Sequence, residues 1–277
     1  MVAIDHFTDP TCPFAFSAEP HRWRLRWLYG DQLRWTDRMV VLSEDPAELE
    51  EKFPPPAHAE ALAAVQALYG MPIDARVRER SAASAPACLA AVAARLHAPD
   101  RAEALLRALR VRIMGAELPD EPATIAAAAR DAGIDPAQLE AWMAGDDAAA
   151  ALAEDRAAAR DPVPAARALD HKLGGPPEER RYTCPSYVAY ADGSGPHAAP
   201  GYQPLESYEV LLANVAAGLE RREDPSGAAE VLRWAGTPLA TVEVAALLGT
   251  DADGAREALA EAGAVERPAG ADAYWSL

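Results

Sequence analysis

Cysteine is scarce in this 277-residue chain: there are three, Cys12, Cys88 and Cys184, far apart in sequence. Three thiols without close spacing exclude both a disulfide framework and a zinc ligand set. Lysine is scarcer still, at Lys52 and Lys172 only, so arginine carries nearly all the cationic charge. An excess of positive charge is missing altogether, since the net charge is −17 at pH 7. Nucleic acid and anionic membranes require clustered Lys and Arg, so neither is expected as a partner. No apolar run approaches the roughly 18 residues that span a bilayer. No basic residue precedes His6, which argues against a secretory signal and for a cytoplasmic location. There is no glycine-rich phosphate loop, and Gly174-Gly175-Pro176-Pro177 reads as a turn. The six histidines are scattered, and no metal or cofactor is expected.

What remains is a chain half of whose residues are apolar, long enough to bury an ample core. Val2 to Phe7 reads as a buried strand. Pro13 to about Gly30 reads as a helix with Phe16, Trp23, Trp27 and Leu28 on its inner face, and Leu33 to Leu42 contains a second strand. Ser43 to Pro56, with its prolines and acidic residues, reads as a connection. From Ala57 to Asp161 the pattern is helical throughout: Ala61, Leu62, Val65 and Leu68 recur at helical spacing, as do Cys88, Leu89, Val92 and Leu96, and Leu105, Leu106, Leu109 and Ile113. Ile125 to Ala132 and the segment opened by Pro136 complete this region. Val163 to Leu173 is expected to be helical. Beyond it, Tyr182-Thr183-Cys184-Pro185 reads as a turn entering a strand, Asp192-Gly193-Ser194-Gly195 as a hairpin turn, Gly201-Tyr202 as the end of the next strand, and Leu205 to Leu219 as a closing helix.

Cys12 carries the most chemical information. In Asp9-Pro10-Thr11-Cys12-Pro13-Phe14-Ala15-Phe16 it follows a strand and precedes a proline suited to the first helical position. A thiol at a helix N-terminus meets the positive end of the helix dipole, which favours thiolate. His6 sits at the end of the first strand, where it either raises the thiolate fraction of Cys12 or fills space. Asp9 and Glu19 would oppose the thiolate if they pointed inward. Cys88, on an apolar helical stripe, reads as a small buried hydrophobe.

This segment resembles the DsbA-like branch of the thioredoxin superfamily, whose motif is Cys-Pro-x-Cys after the first strand. The stretch from Asp9 to Trp35, with Glu19-Pro20 and Gly30-Asp31-Gln32-Leu33-Arg34-Trp35, is similar to FrnE- and YjbH-type members of that branch. Ala15 stands where the second cysteine of the motif belongs. The resemblance implies an α/β chain: a thioredoxin-like domain over 1–56 and 162–222, interrupted by an inserted helical domain over 57–161. It also implies that Pro185 is a cis-proline lying against the active thiol, and that Pro13, Phe14, Thr183 and Pro185 bind substrate. Cys184, where the family more often shows Val or Thr, then either faces Cys12 as a relocated resolving thiol or is a small residue filling the place.

Residues 226–277 form a tail. Ala228 to Ala235, Val242 to Leu248 with Thr241 as cap, and Ala252 to Ala262 read as helices, followed by a hairpin around Pro268-Ala269-Gly270. That order resembles a winged helix. Between Asp251 and Leu277, six acidic residues face only Arg256 and Arg267, so the module lacks a basic footprint for DNA and suits packing or protein contact.

Three functions follow. The first is a cytoplasmic thiol-disulfide oxidoreductase or isomerase acting through Cys12 alone on a protein or small-molecule disulfide, resolved by a low-molecular-weight thiol as co-substrate or by Cys184. The second is a non-catalytic adaptor that binds a protein partner through the acidic tail, with a homodimer left open. The third, an isomerase or transferase of the kappa-class type, is disfavoured because those relatives use Ser at the active position.

Overall fold

In the computed structural model, which describes residues 1–191 and 195–277, a four-stranded sheet places the Cys12 segment. Strand β1 (Val2–Thr8) is central. It pairs in parallel with β2 (Leu33–Met39) and antiparallel with β3 (Ser186–Tyr190), which pairs antiparallel with β4 (His197–Ala199), giving the order β2-β1-β3-β4. Val2, Ile4 and Phe7 are buried, as a strand covered on both faces requires. The register sets His6 beside Asp37 on one neighbour and Tyr187 on the other.

The expected helix from Pro13 to Gly30 is two helices, α1 (Pro13–Ser17) and α2 (Glu19–Tyr29), which meet at Ala18. Pro20 explains the break, because it lacks the N–H a continuous helix would donate to Phe16 and its ring crowds that carbonyl. Phe16 and Leu25 face inward, but Trp23, Trp27 and Leu28 do not: they pack against the C-terminal tail. The second strand stops at Met39, short of Leu42. Val40 still donates to the Thr8 carbonyl at 2.8 Å, and Val41 then adopts φ 56°, which turns the chain out of the sheet.

Ser43 to Pro56 is more than a connection. Asp45 accepts from the Ala47 N–H at 2.8 Å and Pro46 occupies the first position of α3 (Pro46–Lys52), with α4 (Pro55–Tyr69) following. After α4 the region is not helical throughout. Met71 to Ser84 runs without a helix and carries buried Met71 and Ile73 into the core before α5 (Ala85–His97), α6 (Pro99–Met114), α7 (Pro122–Asp131), α8 (Pro136–Met143) and α9 (Asp146–Ala159). Alanines of α5 at zero or near-zero exposure let these helices approach closely.

The segment expected as a helix over Val163 to Leu173 holds only a single turn, α10 (Pro164–Arg167), and a short 3-10 turn. Strand β4 ends at Ala199, before Pro200 and short of Gly201, and α11 (Leu205–Val215) ends four residues before Leu219. Of the expected hairpin turn, Asp192, Gly193 and Ser194 lie outside the described residues.

The tail contains α12 (Ala228–Ala235), β5 (Leu239–Ala240), α13 (Thr241–Leu248), α14 (Ala252–Glu261), β6 (Val265–Ala269) and β7 (Asp272–Ser276), with sheet order β5-β7-β6. Ala240, not Thr241, is the N-cap of α13, and the Glu243 carboxylate accepts from its N–H at 2.7 Å. The Thr241 hydroxyl instead donates to Asp272 and accepts from Trp275 Nε1. Glu243 is fully buried and ties three units together: it also accepts from Trp23 Nε1 of α2 at 3.0 Å and from both terminal nitrogens of Arg107 on α6.

Candidate active site

Cys12 caps the N-terminus of α1. Its N–H donates to the Asp9 carbonyl at 3.2 Å, and its carbonyl accepts from Phe16 at 3.1 Å. Cys12 is buried, with relative exposure 5%. Across from it, 172 residues later, lies Cys184, itself 6% exposed; Cys12 Sγ sits 3.4 Å from the Cys184 carbonyl oxygen. The Cys184–Pro185 peptide is cis. The turn that presents Cys184 is fixed from behind: Thr183 Oγ1 donates to the Lys172 carbonyl, Ser186 Oγ donates to the Thr183 carbonyl, and the Gly201 N–H donates to Ser186 Oγ.

The two thiols divide their acidity. The Cys12 thiol is held below its ordinary value, chiefly by a hydrogen bond from the Cys184 thiol and further by the Ala15 and Phe14 N–H groups at the helix start; burial and the Asp9 charge oppose it. The Cys184 thiol is pushed well up by burial and by its bond to Cys12. Protonated Cys12 donates to the Cys184 carbonyl at 3.4 Å; the Cys184 thiol and the Ala15 and Phe14 amides are the influences that favour its ionised form. Both cysteines are free, and a Cys184 kept protonated is the donor that a Cys12 thiolate needs.

Asp9 does point inward. It is fully buried and accepts from the Thr11 N–H and hydroxyl, the Leu42 N–H, the Ser84 hydroxyl and, at 3.4 Å, the Cys88 thiol. One carboxylate therefore pins the Cys12 turn to the end of β2 and the start of α5. Cys88 is fully buried, and burial with the Asp9 charge raises its thiol well above the ordinary value. Glu19 pairs with buried Arg110, which also donates to the Thr8 hydroxyl.

His6 turns away from the thiol. Its Nδ1 lies 2.7 Å from Asp37 Oδ1, its ring packs edge-on to Tyr187, and burial lowers its pKa to about 4 even though Asp37 acts in the opposite sense. Of the two phenylalanines flanking Ala15, Phe16 is fully buried and Phe14 is 41% exposed beside Cys12. Phe14 stands edge-on to Tyr69, which contacts Tyr202 at 4.4 Å between ring centroids, and Tyr202 contacts His21. Sequence reading missed this aromatic rim, because Tyr69, Tyr202 and His21 share no motif and meet only through the fold. Ala15, at the place of the absent cysteine, is buried in one cluster with Cys12, Cys184, Phe7 and Val188.

Among the described residues no group of three or more His, Cys, Asp or Glu side chains is arranged to hold a metal ion, and no helix is long and apolar enough to cross a membrane. The structure thus brings together Cys12, Pro13, Phe14, Thr183, Cys184 and Pro185, and leaves His6 and Cys88 outside the thiol pair.

A model of the DSBA-like thioredoxin domain matches residues 3–162. No curated protein sequence matches the chain. Among solved structures, a Nitrosomonas europaea protein designated a protein disulfide isomerase is 17% identical, covers 77% of this chain and 96% of its own, and superposes with a TM-score of 0.58. The cytosolic disulfide reductase DsbM of Pseudomonas aeruginosa is 17% identical over 76% of this chain and 97% of its own, with a TM-score of 0.52. A Streptomyces coelicolor protein designated a DsbA oxidoreductase is 17% identical over 83% of this chain and 96% of its own, with a TM-score of 0.53. These structures share the fold. With the family model spanning more than half its length, this chain belongs to the DSBA-like thioredoxin domain family, whose general chemistry is thiol-disulfide exchange.

Proposed function

We propose that the protein is a cytoplasmic thiol-disulfide oxidoreductase in which Cys12 is the attacking thiolate and Cys184 takes the place of the missing motif cysteine. The observation that carries this reading is the placement of the Cys12 sulfur against Cys184, with Cys12 acidified and Cys184 held protonated. The Cys12 thiolate attacks one sulfur of a substrate disulfide, forming a mixed disulfide and releasing the other sulfur as thiolate, which takes up a proton. Cys184 attacks Cys12 Sγ, closes a Cys12–Cys184 bond and releases the second substrate thiolate, which takes up the Cys184 proton. The substrate gains two electrons and the protein dithiol loses two. A small cellular thiol regenerates the pair, or resolves the mixed disulfide directly. Phe14, Pro13 and the aromatic rim supply an apolar seat for the substrate, and Thr183 and Pro185 set the backbone against which it lies. The likeness in fold to the cytosolic reductase DsbM, which has also been solved with GSH, supports both the location and the small-thiol co-substrate.

The test is reduction of a model disulfide by the wild type, Cys12→Ser and Cys184→Ser. Cys12→Ser should show no turnover, whereas Cys184→Ser should accumulate mixed disulfide on Cys12. Full activity in Cys12→Ser refutes the reading. A stable protein partner retained by an inactive Cys12→Ser protein would instead favour the adaptor.

A further inference from the structure

A cavity of about 690 Å³ lies away from the thiols. It opens between α2, α6 and the tail, and neither Cys12, Cys184 nor Pro185 lines it. Its volume is that of an ordinary small-molecule pocket, for which about 300–1,000 Å³ is typical.

Its wall carries six arginines beside five carboxylates, Glu19, Asp100, Glu103, Glu117 and Asp131. The arginines, Arg22, Arg26, Arg107, Arg110, Arg112 and Arg267, converge on it from three elements of a protein whose net charge is −17. Five of them are matched: Arg22 and Arg26 by Glu103, Arg107 by Glu243, Arg110 by Glu19, and Arg112 by Glu117 and Asp131. Arg267, on β6, has no carboxylate partner among the described residues; its guanidinium lies 5.9 Å from the ring centroid of Tyr274.

Tyr274 supplies the second, independent observation. It is 97% buried, at 3% exposure, it lines the cavity, and its hydroxyl has no hydrogen-bond partner. An orphaned buried hydroxyl is costly and calls for an explanation. Burial keeps the phenol protonated, since its pKa is raised, and Arg107 and Arg267 are the nearby cations acting on it. The same wall offers Trp23, Leu106 and Val111 as an apolar flank.

We propose that this cavity binds a small organic oxyanion, its carboxylate or phosphate accepting from the Tyr274 hydroxyl and pairing with Arg267, and its carbon skeleton lying against Trp23 and Leu106. Such a group satisfies the orphaned donor and the unmatched guanidinium together. It also bridges the tail to the helical insert, because Tyr274 and Arg267 belong to one and Leu106 to the other.

The test is titration of the full-length protein with inorganic phosphate and, separately, succinate, followed by calorimetry and by tryptophan fluorescence. Sodium chloride at matched ionic strength is the control, and Arg267→Gln and Tyr274→Phe are the variants. Saturable binding of at least one probe is expected, weakened about tenfold or more by each variant, as loss of one hydrogen bond to a charged group predicts. Saturation by phosphate alone identifies a phosphoryl ligand; saturation by succinate alone identifies a carboxylate. Arg267 is exposed, so its variant keeps the fold, and circular dichroism checks both. Failure of both probes to saturate, a response equal to that of chloride, or unchanged affinity in either variant overturns the proposal.

Discussion

Replacing Cys184 by alanine isolates the interaction on which the thiol chemistry rests. The Cys184 thiol is the largest influence favouring ionised Cys12; the Ala15 and Phe14 amides are smaller, and burial and Asp9 work against it. A hydrogen bond to a charged acceptor contributes about 1.5–3 kcal/mol. Because about 1.4 kcal/mol is a factor of ten, losing it lowers the thiolate-to-thiol ratio of Cys12 by about ten- to a hundredfold. The sign is fixed: the donor stabilises the anion, so its removal moves ionisation to higher pH and slows alkylation at neutral pH. The assay is the second-order rate of iodoacetamide alkylation of Cys12 as a function of pH, read by peptide mass spectrometry. Cys184→Ser retains an O–H donor in the same place and should recover most of the lost ionisation. Cys88, buried and raised, should remain unlabelled throughout and serves as the internal control. An alkylation profile for Cys184→Ala that coincides with the wild type, or lies at lower pH, refutes the reasoning.

Further outcomes follow from the buried carboxylates and His6. Asp9→Asn removes a negative charge that opposes the Cys12 thiolate, so the alkylation midpoint should fall. The amide cannot serve all the donors that meet Asp9, so thermal unfolding should report a loss of about 1–3 kcal/mol. Glu243→Ala leaves Arg107 and Trp23 without their shared acceptor and should cost about 3–5 kcal/mol, as breaking a buried ion pair does; urea unfolding and faster trypsin cleavage near Arg221 measure it. His6 has a folded pKa of about 4 against an ordinary 6.5, so the unfolded chain takes up its proton first as pH falls. Stability is fully present above about 6.5 and declines toward 4, by up to about 3 kcal/mol. Urea midpoints at pH 7 and pH 4.5 should therefore differ less in His6→Phe than in the wild type.

The elements that position the thiols were readable where a local signal exists. Strand β1, Cys12-Pro13 at a helix start, Thr183-Cys184-Pro185 before β3, and the tail helices with Gly249 and Gly263 as their stops all follow from residues adjacent in the chain. The misreadings arise where the deciding partner is remote. An apolar stripe on α2 shows that something covers Trp23 and Trp27, but not that the cover is a module more than 200 residues away. The role of Asp9 depends on Leu42 and Ser84, and the aromatic rim depends on Tyr69 meeting Tyr202. The α3 helix is a different case: Asp45-Pro46 is a local N-cap signal that the surrounding proline and acid content obscured. Val41 is different again, because a β-branched residue at positive φ follows no sequence preference and is imposed by the turn out of β2.

The central claim is that Cys12 and Cys184 act as one redox pair, and its most direct measurement is non-reducing peptide mass spectrometry after brief exposure to a small disulfide. The account predicts a transient adduct on Cys12 that gives way to a Cys12–Cys184 cross-linked peptide, with the adduct persisting in Cys184→Ser. An oxidised protein in which Cys12 stays unmodified, or in which its adduct persists equally with Cys184 intact, contradicts it.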